Sequence, residues 1–119
     1  VVCPWCAIGY GNLTQALNQL KDNLSAEITW HPFQLNPYMG KEGQEINEHL
    51  AEKYGLNEQQ LSENKNRIKE VGAKAGVDFN FDQRARIYNT LDSHVLLHVA
   101  QEQGLQTELK LALFKAYFS

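Results

Sequence analysis

Two cysteines three positions apart, Cys3 and Cys6 with Pro4 and Trp5 between them, restrict this chain more than any other feature. A disulfide needs its Cα atoms about 4.4–6.8 Å apart, and the first turn of a helix supplies that separation at i and i+3. Pro4 suits such a start, because its locked φ is helical and its missing N–H has no partner to lose there. Cys3 then falls near the N-cap, where unsatisfied N–H groups and the positive end of the helix macrodipole favour thiolate over thiol. Cys6 lies one turn along on the same face. The spacing therefore predicts dithiol–disulfide chemistry, with Cys3 attacking and Cys6 resolving.

The same spacing is half of a tetrahedral zinc site, which needs two further ligands, yet the chain holds no third cysteine. His31, His49, His94 and His98 are the available imidazoles. His94 and His98 stand at i and i+4, a metal-holding spacing, but without the glutamate of a metalloprotease helix. Redox chemistry is the favoured reading, with no metal assigned. Eleven basic against fourteen acidic residues give a net charge of -3, which offers nucleic acid no basic surface. No apolar run approaches the ~18–20 residues that span a bilayer.

The 119 residues, 43% of them hydrophobic, can bury one core or a pair of interlocked subdomains. Leu13, Ala16, Leu17, Leu20 and Leu24 recur at helical spacing and predict an amphipathic helix over residues 4–23. Gly9 and Gly11 mark a kink or a close backbone approach within it. Residues 27–33 are rich in β-formers and predict a strand that Pro32 brings to its end. Val1 and Val2 read as the end of an earlier strand. Gly, Pro and Asn gather between residues 36 and 43, after which the pattern is helical. One helix is expected over 46–54 with Gly55 as its stop, and a second starts from Asn57 and runs toward Gly76. That second helix is polar over most of its surface and is expected outermost. Residues 77–81 alternate and should send Phe79 and Phe81 inward. Asn89 and Thr90 cap a helix carrying Leu91, Val95 and Val99, stopped by Gly104, and Thr107 starts the last, whose Phe114, Tyr117 and Phe118 read as core.

The run Val2-Cys3-Pro4-Trp5-Cys6-Ala7-Ile8-Gly9 resembles the active-site segment of the DsbA-like thioredoxin superfamily, in particular its FrnE-like branch of dithiol–disulfide oxidoreductases. Residues 30–37, Asn89-Thr90 with His94, and residues 113–118 resemble further blocks of that branch, so the likeness spans nearly the whole chain. It implies an α/β thioredoxin-like fold interrupted by an all-α insertion, with residues 1–39 in the thioredoxin-like part and 40–119 in the insertion. The superfamily also carries a cis-proline loop facing the cysteines. Pro4, Pro32 and Pro37 are the chain's prolines and none stands where that loop belongs, so a partial chain is expected.

The resemblance implies no tightly bound cofactor, with glutathione as a candidate redox partner, and protein or small-molecule thiols and disulfides as substrates. Relatives with serine at the nucleophile position, the 2-hydroxychromene-2-carboxylate isomerases and kappa-class transferases, use glutathione; Cys3 backed by Cys6 favours thiol exchange instead. A non-catalytic metal- or peptide-binding module is the third reading. Besides Cys3 and Cys6, Pro4, Trp5, His31 and His94 are the candidate site-shaping residues, Trp5 as apolar docking surface, His31 as a neighbour of the thiols and His94 as lining of the cleft. Membrane insertion is not expected. FrnE-like relatives favour the cytoplasm, disulfide formation would suit a periplasm, and oligomeric state stays open.

Overall fold

The computed structural model describes residues 1–82 and 85–119. Helix α1 spans Pro4–Gln19, with Pro4 in its first turn and Cys3 at its N-cap. Helix α2, Ile46–Tyr54, starts where the Glu45 carboxylate accepts the Glu48 N–H at 2.8 Å, and stops at Gly55, whose φ of 66° is left-handed. Helix α3, Glu58–Lys74, opens on a reciprocal cap. Asn57 accepts the Gln60 N–H at 2.9 Å, and Gln60 accepts the Asn57 N–H at 3.0 Å. Helices α4, Leu91–Glu102, and α5, Gln106–Phe118, follow, separated by Gly104 at φ 71°. These stops are the ones the glycine and asparagine positions predict, with α5 beginning one residue before Thr107.

Two clusters form the core. Ala7 and Ile8 of α1 meet Ile68 and Ala75 from the α3 side, Phe79 and Phe81 from the connector, and Phe114 and Phe118 of α5. Phe79 and Phe81 stack at 5.4 Å, as their alternation predicts, and Phe118 stands edge-on to Phe79 at 5.1 Å. The smaller cluster joins Val2, Ile46 and Ile87. Tyr117 packs against both and donates its hydroxyl to the Arg86 carbonyl at 2.9 Å. Helix α3 is outermost on its polar side only, since Leu61, Ile68 and Gly72 are buried.

Four expectations need correction. The predicted strands at Val1–Val2 and 27–33 pair with no strand among the described residues. A strand exists through its neighbour's hydrogen bonds, and here a side chain takes that place: Gln106 accepts the Trp30 N–H at 3.0 Å and donates to the Trp30 carbonyl at 2.9 Å. The segment after residue 40 is not entirely helical. Strands β1, Gln44–Glu45, and β2, Arg86–Ile87, pair antiparallel, Gln44 opposite Ile87. Gly43 permits this, having φ of 70° and no Cβ to strike the Ile87 carbonyl.

The third correction concerns α1, which ends at Gln19 and continues through single turns to Leu24. Its leucine stripe is not its buried side: Leu13, Leu20 and Leu24 are exposed, while Ala7, Ile8 and Gly11 face inward. At Gly11 that face tolerates no side chain, because α1 there approaches the end of α3 at Ala75. The fourth is parallel. Leu91, Val95 and Val99 of α4 are about half exposed, and His94 and Leu97 are its buried residues, turned toward α5 and the 30–33 segment.

Gly9 and Gly11 separate these effects. A Cβ on Gly11 would collide with the Ala75 carbonyl, whereas one on Gly9 meets nothing within 4 Å. Gly11→Ala is therefore expected to destabilise by about 1–3 kcal/mol through overpacking. Gly9→Ala should stabilise by about 0.5–1 kcal/mol, from lower chain entropy in the unfolded state. Urea midpoints at unchanged slope check both signs; equal shifts would mean that α1 and α3 do not meet at Gly11.

Candidate functional site

The site is the start of α1. Cys3 has φ -88° and ψ 115°, an extended residue that turns directly into the helix, and its carbonyl accepts the Cys6 N–H at 3.2 Å. Cys3 is half-buried, Cys6 is exposed, and both are free thiols. The two sulfurs are unequal. The Cys6 thiol donates a hydrogen bond to the Cys3 sulfur, which, against the opposing effect of burial and with help from the N–H groups of Cys6 and Trp5, lowers the Cys3 pKa to about 6. Cys3 makes no strict capping bond through its side chain, so these N–H groups act on the sulfur as oriented dipoles. The same contact pushes Cys6 well up, because its proton is held by Cys3, burial disfavours its charge, and the Cys3 thiolate repels a second one. The pair thus releases one proton readily and retains the other.

Trp5 lies between them at 43% exposure, with the Arg67 guanidinium of α3 at 5.7 Å from its ring centre. Cys3, Pro4 and Trp5 form one wall of a cavity of about 430 Å³. The opposite wall comes from α2, α3 and the 35–36 loop, including Ile46, His49, Leu50, Lys53 and Ile68. Two of its polar groups are tied down. His49 Nδ1 meets Gln44 Oε1 at 2.8 Å, and burial holds that imidazole below its usual pKa. Lys53 donates to Asn36 Oδ1 at 2.9 Å and to the Leu35 carbonyl at 3.3 Å.

His31 and His94 lie elsewhere. They share a second cavity, about 260 Å³, with His98, Gln101 and Lys110, and neither lines the space beside Cys3. His31 is exposed there. His94 is 8% exposed, and its Nε2 lies 3.1 Å from the Phe33 carbonyl, which requires the proton on that nitrogen. Burial depresses its pKa, and the nearby Lys110 charge adds to this. Lys110 is itself buried and places its ammonium 5.0 Å from the Trp30 ring centre and 5.2 Å from that of Phe114. Among the described residues no three His, Cys, Asp or Glu side chains converge as metal ligands.

Of the six candidate site residues, the structure thus brings Cys3, Cys6, Pro4 and Trp5 together and sets His31 and His94 apart. It adds the α2 face that sequence reasoning passed over. Ile46, His49, Leu50 and Lys53 fall at i, i+3, i+4 and i+7, a periodicity visible in the sequence but assignable to this cavity only once α2 is docked.

The whole chain, residues 1–119, matches the model of the DSBA-like thioredoxin domain. A crystal structure described as a probable DsbA oxidoreductase from Streptomyces coelicolor superposes with a TM-score of 0.88 at 28% identity. That match covers 98% of this chain and 50% of the other, so these residues span about half the length of that protein. No curated protein matches the sequence.

Proposed function

The chain belongs to the family of DSBA-like thioredoxin domains, and from that premise we propose that it supplies the reactive half of a thiol–disulfide oxidoreductase, with Cys3 as nucleophile and Cys6 as resolving thiol. The likeness to a probable DsbA oxidoreductase supports the reaction class. The blocks at residues 30–37, 89–94 and 113–118 support placement in the FrnE-like branch.

The observation that carries the reading is the inequality of the two thiols. A thiolate at Cys3 attacks one sulfur of a substrate disulfide; the Cys3–sulfur bond forms as the substrate's sulfur–sulfur bond breaks, and the other substrate sulfur leaves as a thiolate. Cys6 then loses its proton and attacks the Cys3 sulfur. That closes the Cys3–Cys6 disulfide and releases the second substrate thiol. Two electrons pass from the protein to the substrate, and the reverse sequence oxidises a dithiol. Stabilising the Cys3 thiolate stabilises the reduced pair, which makes the disulfide the stronger oxidant. A potential nearer ~-120 mV than ~-270 mV is the expected measurement, and disulfide formation the favoured direction.

The experiment is a trap. In the intact protein, Cys6→Ser should accumulate a mixed disulfide at Cys3 with a disulfide peptide, seen as one peptide mass added and removed by dithiothreitol. The wild-type protein should not accumulate it. An adduct located on another residue, or none under conditions where the protein is folded, would reject the assignment.

A further inference from the structure

The second cavity, between residues 30–32 and the α4–α5 pair, has a buried positive charge in its wall and no negative charge to meet it. We propose that this cavity binds a small oxyanion, a phosphate or a short carboxylate, held by the Lys110 ammonium. The assignment is independent of the thiol-exchange reading, since neither cysteine lines this space.

Lys110 carries the argument. It is 6% exposed, and an ammonium taken that far out of water is costly unless its charge is compensated. Among the described residues it has no carboxylate partner. The rings of Trp30 and Phe114 offset part of the cost as cation–π partners, without supplying a full negative charge. The Val1 nitrogen, the His94 imidazole and the Cys6 thiol lie within reach of the Lys110 charge, and none brings an opposite one. The nitrogen is a donor, burial keeps the imidazole neutral, and the thiol keeps its proton.

The rest of the lining sets the chemistry of the occupant. No aspartate or glutamate is among the lining residues. Gln106 commits its amide to both backbone groups of Trp30, and His94 commits its Nε2 proton to the Phe33 carbonyl. His31, His98 and Gln101 are exposed and form the rim, where each has an N–H to offer an oxygen acceptor. A metal cation is the wrong occupant, because it would face the ammonium and because the imidazoles do not converge as ligands among the described residues. The volume of about 260 Å³ is below the range of about 300–1,000 Å³ that drug-sized ligands occupy, which suits a group of a few heavy atoms. Trp30, Pro32 and Leu97 make the surroundings apolar, where opposite charges attract more strongly than in water.

The test is calorimetric titration of the intact protein with inorganic phosphate and with succinate, at fixed ionic strength. Saturable binding of one anion per chain is expected, and whichever probe binds more tightly identifies the oxyanion class. Lys110→Met keeps the length and apolar body of the side chain and should weaken binding about tenfold or more, the scale of a charge-assisted hydrogen bond. The wild-type urea midpoint should rise with the bound anion and that of Lys110→Met should not. His98→Glu, at an exposed rim position, places a carboxylate at the cavity mouth and should also weaken binding, which keeps the test decisive should the α5 variant fail to fold. No saturable binding of either anion, or equal affinity in the wild-type protein and a folded Lys110→Met, would overturn the site and leave Lys110 as a structural partner of the two rings.

Discussion

Alkylation of Cys3 by iodoacetamide is expected to follow a titration with midpoint near pH 6 and to remain measurable at pH 5, where an ordinary thiol is almost silent. The magnitudes say where to look. At pH 7 a thiol of pKa about 6 is about 90% ionised against about 3% for one of 8.5, a thirtyfold gain in thiolate. A thiolate of lower pKa is intrinsically less nucleophilic, with a Brønsted coefficient of about 0.4–0.5, which returns about tenfold of that gain. The net advantage at neutral pH is only about two- to threefold and would be easy to miss. At pH 5 the ionised fractions differ about three-hundredfold, so an advantage of about twentyfold survives the correction. Cys6 should stay unmodified across this range, since its proton is held by Cys3. Removing that donor by Cys6→Ala should move the Cys3 midpoint upward.

The same shift has a sign for stability. A folded-state pKa below the unfolded one means that the folded protein holds the thiolate more favourably. That contribution is complete above the ordinary thiol range, falls as pH drops toward 6, and is gone below it. Coincident rates for Cys3 and a free thiol at pH 5 would remove the activated nucleophile from the mechanism.

The second large effect is structural. Phe118 is 2% exposed, edge-on to Phe79 at 5.1 Å and to Tyr117 at 4.8 Å, and tilted against Phe114 at 6.0 Å. Phe118→Ala is expected to cost about 3–5 kcal/mol, because the hole is ringed by other aromatics that cannot all collapse into it. Against a stability of about 5–15 kcal/mol this is about a fifth of the total or more. The loss should appear as a lower urea midpoint at constant slope. Tyr117→Phe, which removes only the hydroxyl donated to Arg86, should cost about 0.5–1.5 kcal/mol. A cost below about 1 kcal/mol for Phe118→Ala would mean that the cluster does not enclose it. Ala7 and Ile8 share this cluster with Phe118. A variant that loosens it should therefore also move the Cys3 titration back toward the ordinary value.

What the sequence made legible was local. The motif, its place at a helix start, the Gly55 and Gly104 stops, the Asn57 cap and the inward Phe79 and Phe81 each depend on a few adjacent residues, and the structure keeps all of them. Which face of a helix turns inward is settled by what it meets, and there the reading of Leu13, Leu20 and Leu24 failed. Helical periodicity marks an apolar stripe without saying that Gly11 needs the inner side for Ala75. The β1–β2 pair was hidden for a different reason. Gln44 and Glu45 are poor β-formers, and only the glycine before them and a partner more than forty positions later make them a strand. His31 was expected near the thiols from its place at a strand end, and His94 in the cleft from its family block; the structure gives the two a cavity of their own.

The Gln106 amide on Trp30 has one more consequence, which concerns what other molecules can do. A β-forming segment with open backbone groups is a template on which a second chain can add as a strand, the first step toward aggregation. Gln106 occupies both backbone groups of Trp30, and Pro32 has no N–H to offer two residues later. In an extended chain residues 30 and 32 point the same way, so the side of this segment turned toward α5 is closed to strand addition, and a stranger can approach it only from the other.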